Sequence, residues 1–363
     1  MDVVEIRADG LHLRPWRPAD ADAVQRARRD PGVRAWTRDA ATVAGGPPGA
    51  GTAIRLGVFG DGGDLRDGGD LLGGVTLHGL DRRQRTAALG YWTAPWARGR
   101  RVAERASRAL LGWAFAHLDL ARVDWRAAVG NHASRLTGLR LGFHLIGIRP
   151  GPPEEWVATL RPGDLGERRL PEVVRRQARV FGGERPTIAA GAVTLRPPRD
   201  DDRDAVEAAC ADPEIIRWFG VPRPYTGEHA RRYVHEEAPA EWARGAEAIF
   251  VIADAADAYA GAVDLRVTPH DPAAGEVGFL VAPQARGRGY AVAALGALAR
   301  WGFTELGLRR VQWRAEVGNH ASRRVAERAG FTMEGLLRQA LASDGRRYDC
   351  WVGSLLSTEQ VAV

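Results

Sequence analysis

The chain is written twice. Ala94-Pro95-Trp96-Ala97-Arg98-Gly99-Arg100 returns as Ala282-Pro283-Gln284-Ala285-Arg286-Gly287-Arg288, and Gly130-Asn131-His132-Ala133-Ser134-Arg135 returns unchanged from Gly318 to Arg323. Gly142-Phe143 matches Gly330-Phe331 at the same offset of 188, and 29 of the 50 positions from Ala94 to Phe143 are identical to their partners. Upstream, Leu13-Arg14-Pro15 pairs with Leu195-Arg196-Pro197 and Asp30-Pro31 with Asp212-Pro213, at an offset of 182. A period this long is a whole domain rather than a solenoid unit. Two copies also suit 363 residues at about 100–200 residues per domain. The expected organisation is a first domain at 1–166, a linker at 167–190 and a second domain at 191–363. Glu172 to Val180 forms a linker helix behind Pro171, and Phe181-Gly182-Gly183 breaks it.

Each copy reads as strand, helix, strands, helix, strand, helix and a closing strand pair. In the second copy, Val193 to Arg196 predicts a strand and Asp202 to Ala211 a helix. A second helix starts at Thr226-Gly227-Glu228. Ala248–Ile252 and Ala260–Val267 alternate as a strand pair. Glu276 to Val281 is an apolar strand running into Arg286-Gly287-Arg288-Gly289, and a long apolar-faced helix follows from Tyr290. Val311 to Ala315 is a buried strand, and Ala321 to Ala329 a short helix closed by Gly330. The order predicts an α+β domain in α/β/α layers around a central mixed, mainly antiparallel sheet.

Composition removes several function classes. All 51 basic residues are arginine, against 45 acids, for a net charge of +6. The arginines are interleaved with acids, as in Arg196-Pro197-Pro198-Arg199-Asp200-Asp201-Asp202-Arg203-Asp204, which reads as a solvated mixed surface rather than a nucleic-acid footprint. No apolar run is long enough to span a membrane and the first residues are no signal peptide. Two cysteines, Cys210 and Cys350, make no disulfide framework, so the expected location is cytoplasmic. The nine histidines lack metal-ligand spacing, so no metal is expected. Asp61-Gly62-Gly63-Asp64 and Asp67-Gly68-Gly69-Asp70 read as a hairpin loop, not a calcium loop. Tryptophan pairs 36/218, 113/301, 125/313 and 156/351 read as repeated core anchors.

The chemistry concentrates where a strand meets a glycine loop and a helix start. Unpaired N–H groups and the helix dipole at Arg286-Gly287-Arg288-Gly289-Tyr290-Ala291 form an anion site, and glycine lets a phosphate approach the backbone. A dinucleotide fold would need an acid about 20 residues on, which is missing near Arg309 and Arg310. A triphosphate loop needs a lysine that this chain does not have.

Gln284-Ala285-Arg286-Gly287-Arg288-Gly289 resembles the Gln/Arg-x-x-Gly-x-Gly/Ala element of the Gcn5-related N-acetyltransferases. Asn319-His320-Ala321-Ser322 with Gly330-Phe331 is similar to the distal element of their RimJ/RimL-type branch, and Gly335 to Asp349 extends the likeness. It covers the whole second copy and, more loosely, the first. The resemblance implies two tandem acyl-CoA N-acyltransferase folds and an enzyme that moves acetyl from acetyl-CoA to a primary amine by direct attack in a ternary complex. It implies a pyrophosphate on the N–H groups from Arg286 to Ala291, with Gln284, Arg286, Gly287, Arg288, Gly289 and Tyr290 around it. Pantetheine would lie along Phe279, Leu280 and Val281, with Asn319 holding it.

Glu276 is the candidate base, with Asp264 in reserve, and a solvated strand-end acid is its other reading. Ser322 is the candidate donor to the leaving thiolate, and Asn319 and Ser322 also suit helix capping. The first copy departs at sensitive places: Gly289 becomes Arg101, Gln284 becomes Trp96 and Glu276 becomes Ala88. Gly45 to Gly51 replaces its second helix. The first copy therefore reads as degenerate, structural or regulatory.

The expected acceptor is a protein amino terminus or a small-molecule amine, with His235, Glu236, Glu237 and Glu241 placed to favour a cationic one. The alternative is a non-catalytic acyl-CoA-binding regulatory or interaction protein. No nucleic-acid or membrane partner is expected, and the fused copies suit a monomer or weak homodimer.

Overall fold

Apolar residues alternate along Glu247–Ala253 and Tyr259–Thr268, so one strand pair can face helices on both sides of a sheet. A computed structural model of the chain describes residues 4–37, 53–61, 70–343 and 345–359. It divides into two compact units, Met1–Leu170 and Pro171–Val363.

In the second unit the described residues form a sheet of eight strands. From one edge to the other the order is Thr332–Ser343, Arg346–Leu356, Arg310–Glu316, Asp271–Val281, Tyr259–Thr268, Glu247–Ala253, Val193–Arg196 and Ile188–Ala190. Every pairing is antiparallel except that of Asp271–Val281 with Arg310–Glu316. That parallel pair needs a crossover, which the helix Tyr290–Trp301 supplies. Among its described residues the first unit repeats the plan, with one parallel pairing, between Thr86–Thr93 and Arg122–Ala128. Two mixed sheets flanked by helices agree with the α+β expectation.

The helix Tyr290–Trp301 packs closely because its inner face is small or slender: Ala291, Ala294, Leu295, Leu298 and Ala299 are buried. Trp313 and Trp156 are about fully buried, and Trp125, Trp301, Trp113 and Trp351 belong to or pack against the cores. The pair 36/218 departs from the anchor expectation. Trp36 is 48% exposed, because its short helix Pro31–Trp36 ends at the rim of a cleft.

The run Arg196 to Asp204 is not all surface. Arg196 and Asp202 face each other inside the unit through two 2.8 Å hydrogen bonds, with side chains 8% and 3% exposed. Arg14 and Asp20 make the same pair in the first unit. A run of mixed charge looks solvated in one dimension, but the turn Asp200–Asp202 folds its third carboxylate under the strand.

The stretch expected as linker divides between the units. The helix Glu172–Phe181 lies in the second, where Arg176 Nη1 donates to Thr304 O at 2.9 Å and Gln177 Nε2 to Pro272 O at 2.6 Å. Phe181 packs edge-on against Trp242. Gly45 to Gly51 and Gly62 to Gly69, on which the missing-helix and hairpin expectations fell, lie outside the described residues.

Candidate active site

Parallel pairing between Asp271–Val281 and Arg310–Glu316 stops at Val277 opposite Trp313, although both strands run on. Gly278 to Val281 therefore keep a hydrogen-bonded neighbour on one side only, through Asp264 to Gly261. Phe279, Leu280 and Val281 lie on this unpaired edge, which offers N–H and C=O groups to any extended chain.

The edge leads into the loop. After one 3-10 turn at Pro283–Ala285, Gly287 and Gly289 take left-handed φ values of 76° and 77°. Gly289 starts the helix Tyr290–Trp301. A Cβ at either glycine would meet nothing within 4 Å, so the space above the loop is open. The first-turn N–H groups have no helical acceptor, which suits an anion. Ala291 is buried, and Tyr290 packs against the core from the first turn. Arg288 is exposed at the rim. Arg286 pairs instead with Asp212, and the Gln284 amide reaches Tyr259 O at 3.5 Å, so these two brace the loop.

Across the gap, Asn319 Oδ1 accepts from Ser322 N at 3.0 Å, the capping geometry both residues favour. Trp313 Nε1 donates to Ser322 Oγ at 3.1 Å. The indole can only donate, so the serine proton is left to point elsewhere. Ser322→Ala should strand the buried indole N–H, at a cost of about 1–3 kcal/mol in urea unfolding. If the hydroxyl serves as proton donor, turnover falls by roughly 100-fold as well. Lost stability with unchanged turnover would leave Ser322 a purely structural residue.

Glu276 sits on the other face of the sheet. Its Oε2 accepts from Arg314 Nε at 2.8 Å and lies 2.7 Å from Nη2, while Oε1 lies 3.8 Å from Arg266 Nη2. It is held by its neighbours rather than solvated. Asp264, two residues along the strand from Arg266, lies 3.2 Å from Arg266 Nε through Oδ2. Glu247 approaches from the next strand, with Oε1 at 3.9 Å from Arg266 Nε. Burial, then the charge and hydrogen bond of Asp264, push the Glu247 carboxyl up to about 8. Burial raises Asp264 too, against the pull of Arg266. The two carboxyls are therefore a pair that holds a proton.

Sequence reasoning missed Arg314, Trp313 and the Glu247–Asp264 pair. The available signal was phase. Glu247, Asp264 and Glu276 all fall on strand positions sharing one face through Arg266 and Gly278. The residues expected to favour a cationic acceptor are paired with neighbours: Glu236 with Arg231, Glu237 with Arg232, Glu241 with Arg244 and His235 with Asp200, and Glu241 also acts on Glu247 through its charge.

The first unit keeps one half of this arrangement. Its strand pairing stops at the equivalent point, Leu89 opposite Trp125, and Gly99 and Arg101 repeat the left-handed pattern at φ 76° and 53°. Arg101 stands in the first copy where the second has Gly289. Its guanidinium is held by Glu104, at 2.8 and 2.6 Å, and Glu167, at 3.0 Å. A cavity of about 930 Å³ opens there, lined by Trp36, Tyr91, Arg98, Gly99, Asn131 and Ser134 among others. Tyr91 Oη is wedged between Trp125 Nε1 and Ser134 Oγ, 3.0 Å from each. Matching registers put Ala53, Thr76 and Ala88 where the second unit has Glu247, Asp264 and Glu276.

A family model described as an acetyltransferase (GNAT) domain matches residues 10–144 and again 192–332. "Putative ribosomal N-acetyltransferase YdaF" of Bacillus subtilis (strain 168) is 44% identical over 75 residues, which is 21% of this chain and 41% of that protein. "Uncharacterized N-acetyltransferase p20" of Bacillus licheniformis is 26% identical over 174 residues, 48% of this chain and 97% of that protein. Among solved structures, Mycobacterium smegmatis RimJ in complex with CoA-disulfide aligns at a TM-score of 0.44 and 25% identity, covering 49% of this chain and 91% of its own.

Proposed function

Since this chain belongs to the acetyltransferase (GNAT) domain family, an N-acetyltransferase family, we propose that its second unit transfers acetyl from acetyl-CoA to a primary amine in a ternary complex. The acceptor is a protein amino terminus or a small-molecule amine. The partial likeness to a protein named as a ribosomal N-acetyltransferase supports the first.

One observation carries the reading. An unpaired strand edge runs into an open glycine loop at a helix start, and a carboxylate, Glu276, stands two residues before that edge on the same strand. Acetyl-CoA brings the acetyl group as a thioester, and the residues fit it: the edge Gly278–Val281 for an extended amide chain, the loop Arg286–Ala291 for a diphosphate. Gly287, Gly289 and Arg288 hold that anion, Asn319 and the edge hold the chain, and Arg286 and Gln284 keep the loop in place.

Glu276 Oε1 takes a proton from the amine, directly or through one water. A strand N–H donates to the thioester oxygen as negative charge builds there. The amine nitrogen bonds to the carbonyl carbon and the C–S bond breaks. Ser322 Oγ–H, oriented by Trp313, gives its proton to the departing thiolate and is reloaded from the amine's second proton.

The first unit favours the other reading for itself. It has the cleft but none of the three carboxylates, so we assign it a non-catalytic, structural or regulatory role. Calorimetric titration of acetyl-CoA into the full chain and into Gly289→Arg tests both assignments. Unlike Arg101, the new arginine has Val292 where the first unit has Glu104. The variant should lose the site of the second unit and its turnover together. A site that survives without turnover belongs to the first unit. Absence of binding to the unaltered chain overturns the acetyltransferase reading.

A further inference from the structure

We propose that Asp264, backed by Glu247, holds the acceptor's ammonium group, so that the second unit selects its acceptor as a cationic primary amine. The inference rests on the transfer reading above and deepens its acceptor side.

Position is the first argument. Asp264 stands directly opposite Gly278, the first residue of the unpaired edge. A Cβ at Gly278 would lie 2.7 Å from Asp264 Oδ1, so the carboxylate occupies the room that this glycine leaves. It therefore lies against the backbone next to which the thioester would be held. It also shares a face with Glu276, whose strand partner Arg266 is two residues from it.

Charge is the second. Glu247, Asp264 and Glu276 surround Arg266 and Arg314, three carboxylates for two guanidiniums. One negative charge is left over, and in the free protein a shared proton neutralises it. An ammonium ion does the same and brings three donors. Two acceptors wait for them. Asp264 Oδ2 and Tyr233 Oη are both closed to solvent: Oδ2 has the Arg266 guanidinium at 3.2 Å but no well-formed hydrogen bond, and Tyr233 Oη has no hydrogen-bond partner. Tyr233 comes from the turn Tyr233–Glu237 and feels the Asp264 charge.

The third argument is the internal comparison. The first unit retains the loop, the cap and the unpaired edge, yet replaces all three carboxylates by Ala53, Thr76 and Ala88. A carboxylate needed only for the fold would be missed there, and the sheet pairs in the same register without it.

Proton linkage makes the proposal measurable. The groups facing the pair are Arg266 on Asp264's own strand, Glu276 on the next strand, and Glu241, itself paired with Arg244, on the helix Ala238–Arg244. Tyr233 completes the set, with Tyr225, Tyr259 and Cys210 behind it. Binding the ammonium expels the shared proton, so affinity rises with pH until the pair is ionised. The experiment measures transfer of radiolabelled acetyl from acetyl-CoA to spermidine and to Ala-Ala-Ala amide by the full chain. The KM for the amine should fall about tenfold per pH unit between about pH 6 and 8. Glu247→Gln should flatten that slope. Asp264→Asn should raise the amine KM about tenfold or more and leave the KM for acetyl-CoA unchanged, which also certifies the fold. Gly278→Ala, which pushes a Cβ into the carboxylate, should raise the amine KM likewise; because Gly278 also begins the edge assigned to acetyl-CoA, it is read on the amine KM alone. Transfer with an amine KM indifferent to Asp264→Asn and Gly278→Ala overturns the anchor alone. Failure of the unaltered chain to acetylate either amine overturns the transfer reading and the anchor with it.

Discussion

Glu276→Gln is expected to lower turnover by about 10²–10⁴-fold while acetyl-CoA binds as before. Glutamine has the same shape, and its amide oxygen can still accept from Arg314, whose Nε and Nη2 now lie 2.8 and 2.7 Å from Oε2. The strand pairs beside it, Arg266 with Glu276 and Gly275 with Val267, involve backbone alone and are untouched. What disappears is an oxygen able to take a proton from the amine. A group that acts only as the bond to nitrogen forms is missed in the transition state and not in the ground state. Both kcat and kcat/KM should therefore fall together, with KM for acetyl-CoA within about twofold. The first unit offers no rescue, since Ala88 stands at the equivalent position. Rapid-quench or steady-state assays of the variant decide the matter. Turnover within about threefold of the unaltered protein would mean that Glu276 only anchors Arg314, and the proton would have to leave through Asp264.

The second large effect is on stability. Asp202→Ala should cost about 3–5 kcal/mol in denaturant unfolding, because it leaves the Arg196 guanidinium charged inside the unit. Both oxygens of Asp202 are engaged: each accepts from Arg196 at 2.8 Å, and Oδ2 also accepts from Arg199 N at 2.8 Å. Asp257 on the far side, with its carboxylate against Arg196 Nε at 2.7 Å, softens the loss but is itself 55% exposed. The double variant Arg196→Met with Asp202→Leu should recover much of the deficit, since no charge is then left without a partner. A deficit below about 1 kcal/mol for Asp202→Ala would show that water reaches Arg196 in the folded unit.

The repeat, the order of elements and the glycine loop were all legible in the chain, because each depends on residues near one another in sequence. The point where the sheet opens was legible by resemblance, through Phe279 to Val281. The acidic face was not. Glu247, Asp264 and Glu276 lie on three different strands, and only the register, Glu247 against Arg266 and Asp264 against Gly278, brings them together. A strand acid read alone looks like a solvent-facing residue, and His235 to Glu241 looked more like a pocket because they were adjacent. Arg196 and Asp202 were misjudged for the opposite reason: adjacent charges concealed one buried pair. Trp36, matched to Trp218 by the repeat, showed that a repeated tryptophan need not be in the interior.

The tyrosine wedge of the first unit has a consequence for how sheet and helix are joined. In the second unit one hydrogen bond, from Trp313 to Ser322, links the sheet to the first turn of the helix His320–Arg328. In the first, Tyr91 Oη contacts both the hydroxyl and the carbonyl of Ser134 while receiving Trp125, so strand, neighbouring strand and helix are bolted at a single atom. Burial holds that phenol in its neutral form, pushed up to about 12. The second unit carries Phe279 at the matching repeat position, so it has no phenol to make this three-way junction. The two copies thus tie the same strand, its neighbour and the helix differently, one through a tyrosine phenol and the other through the bond from Trp313 to Ser322.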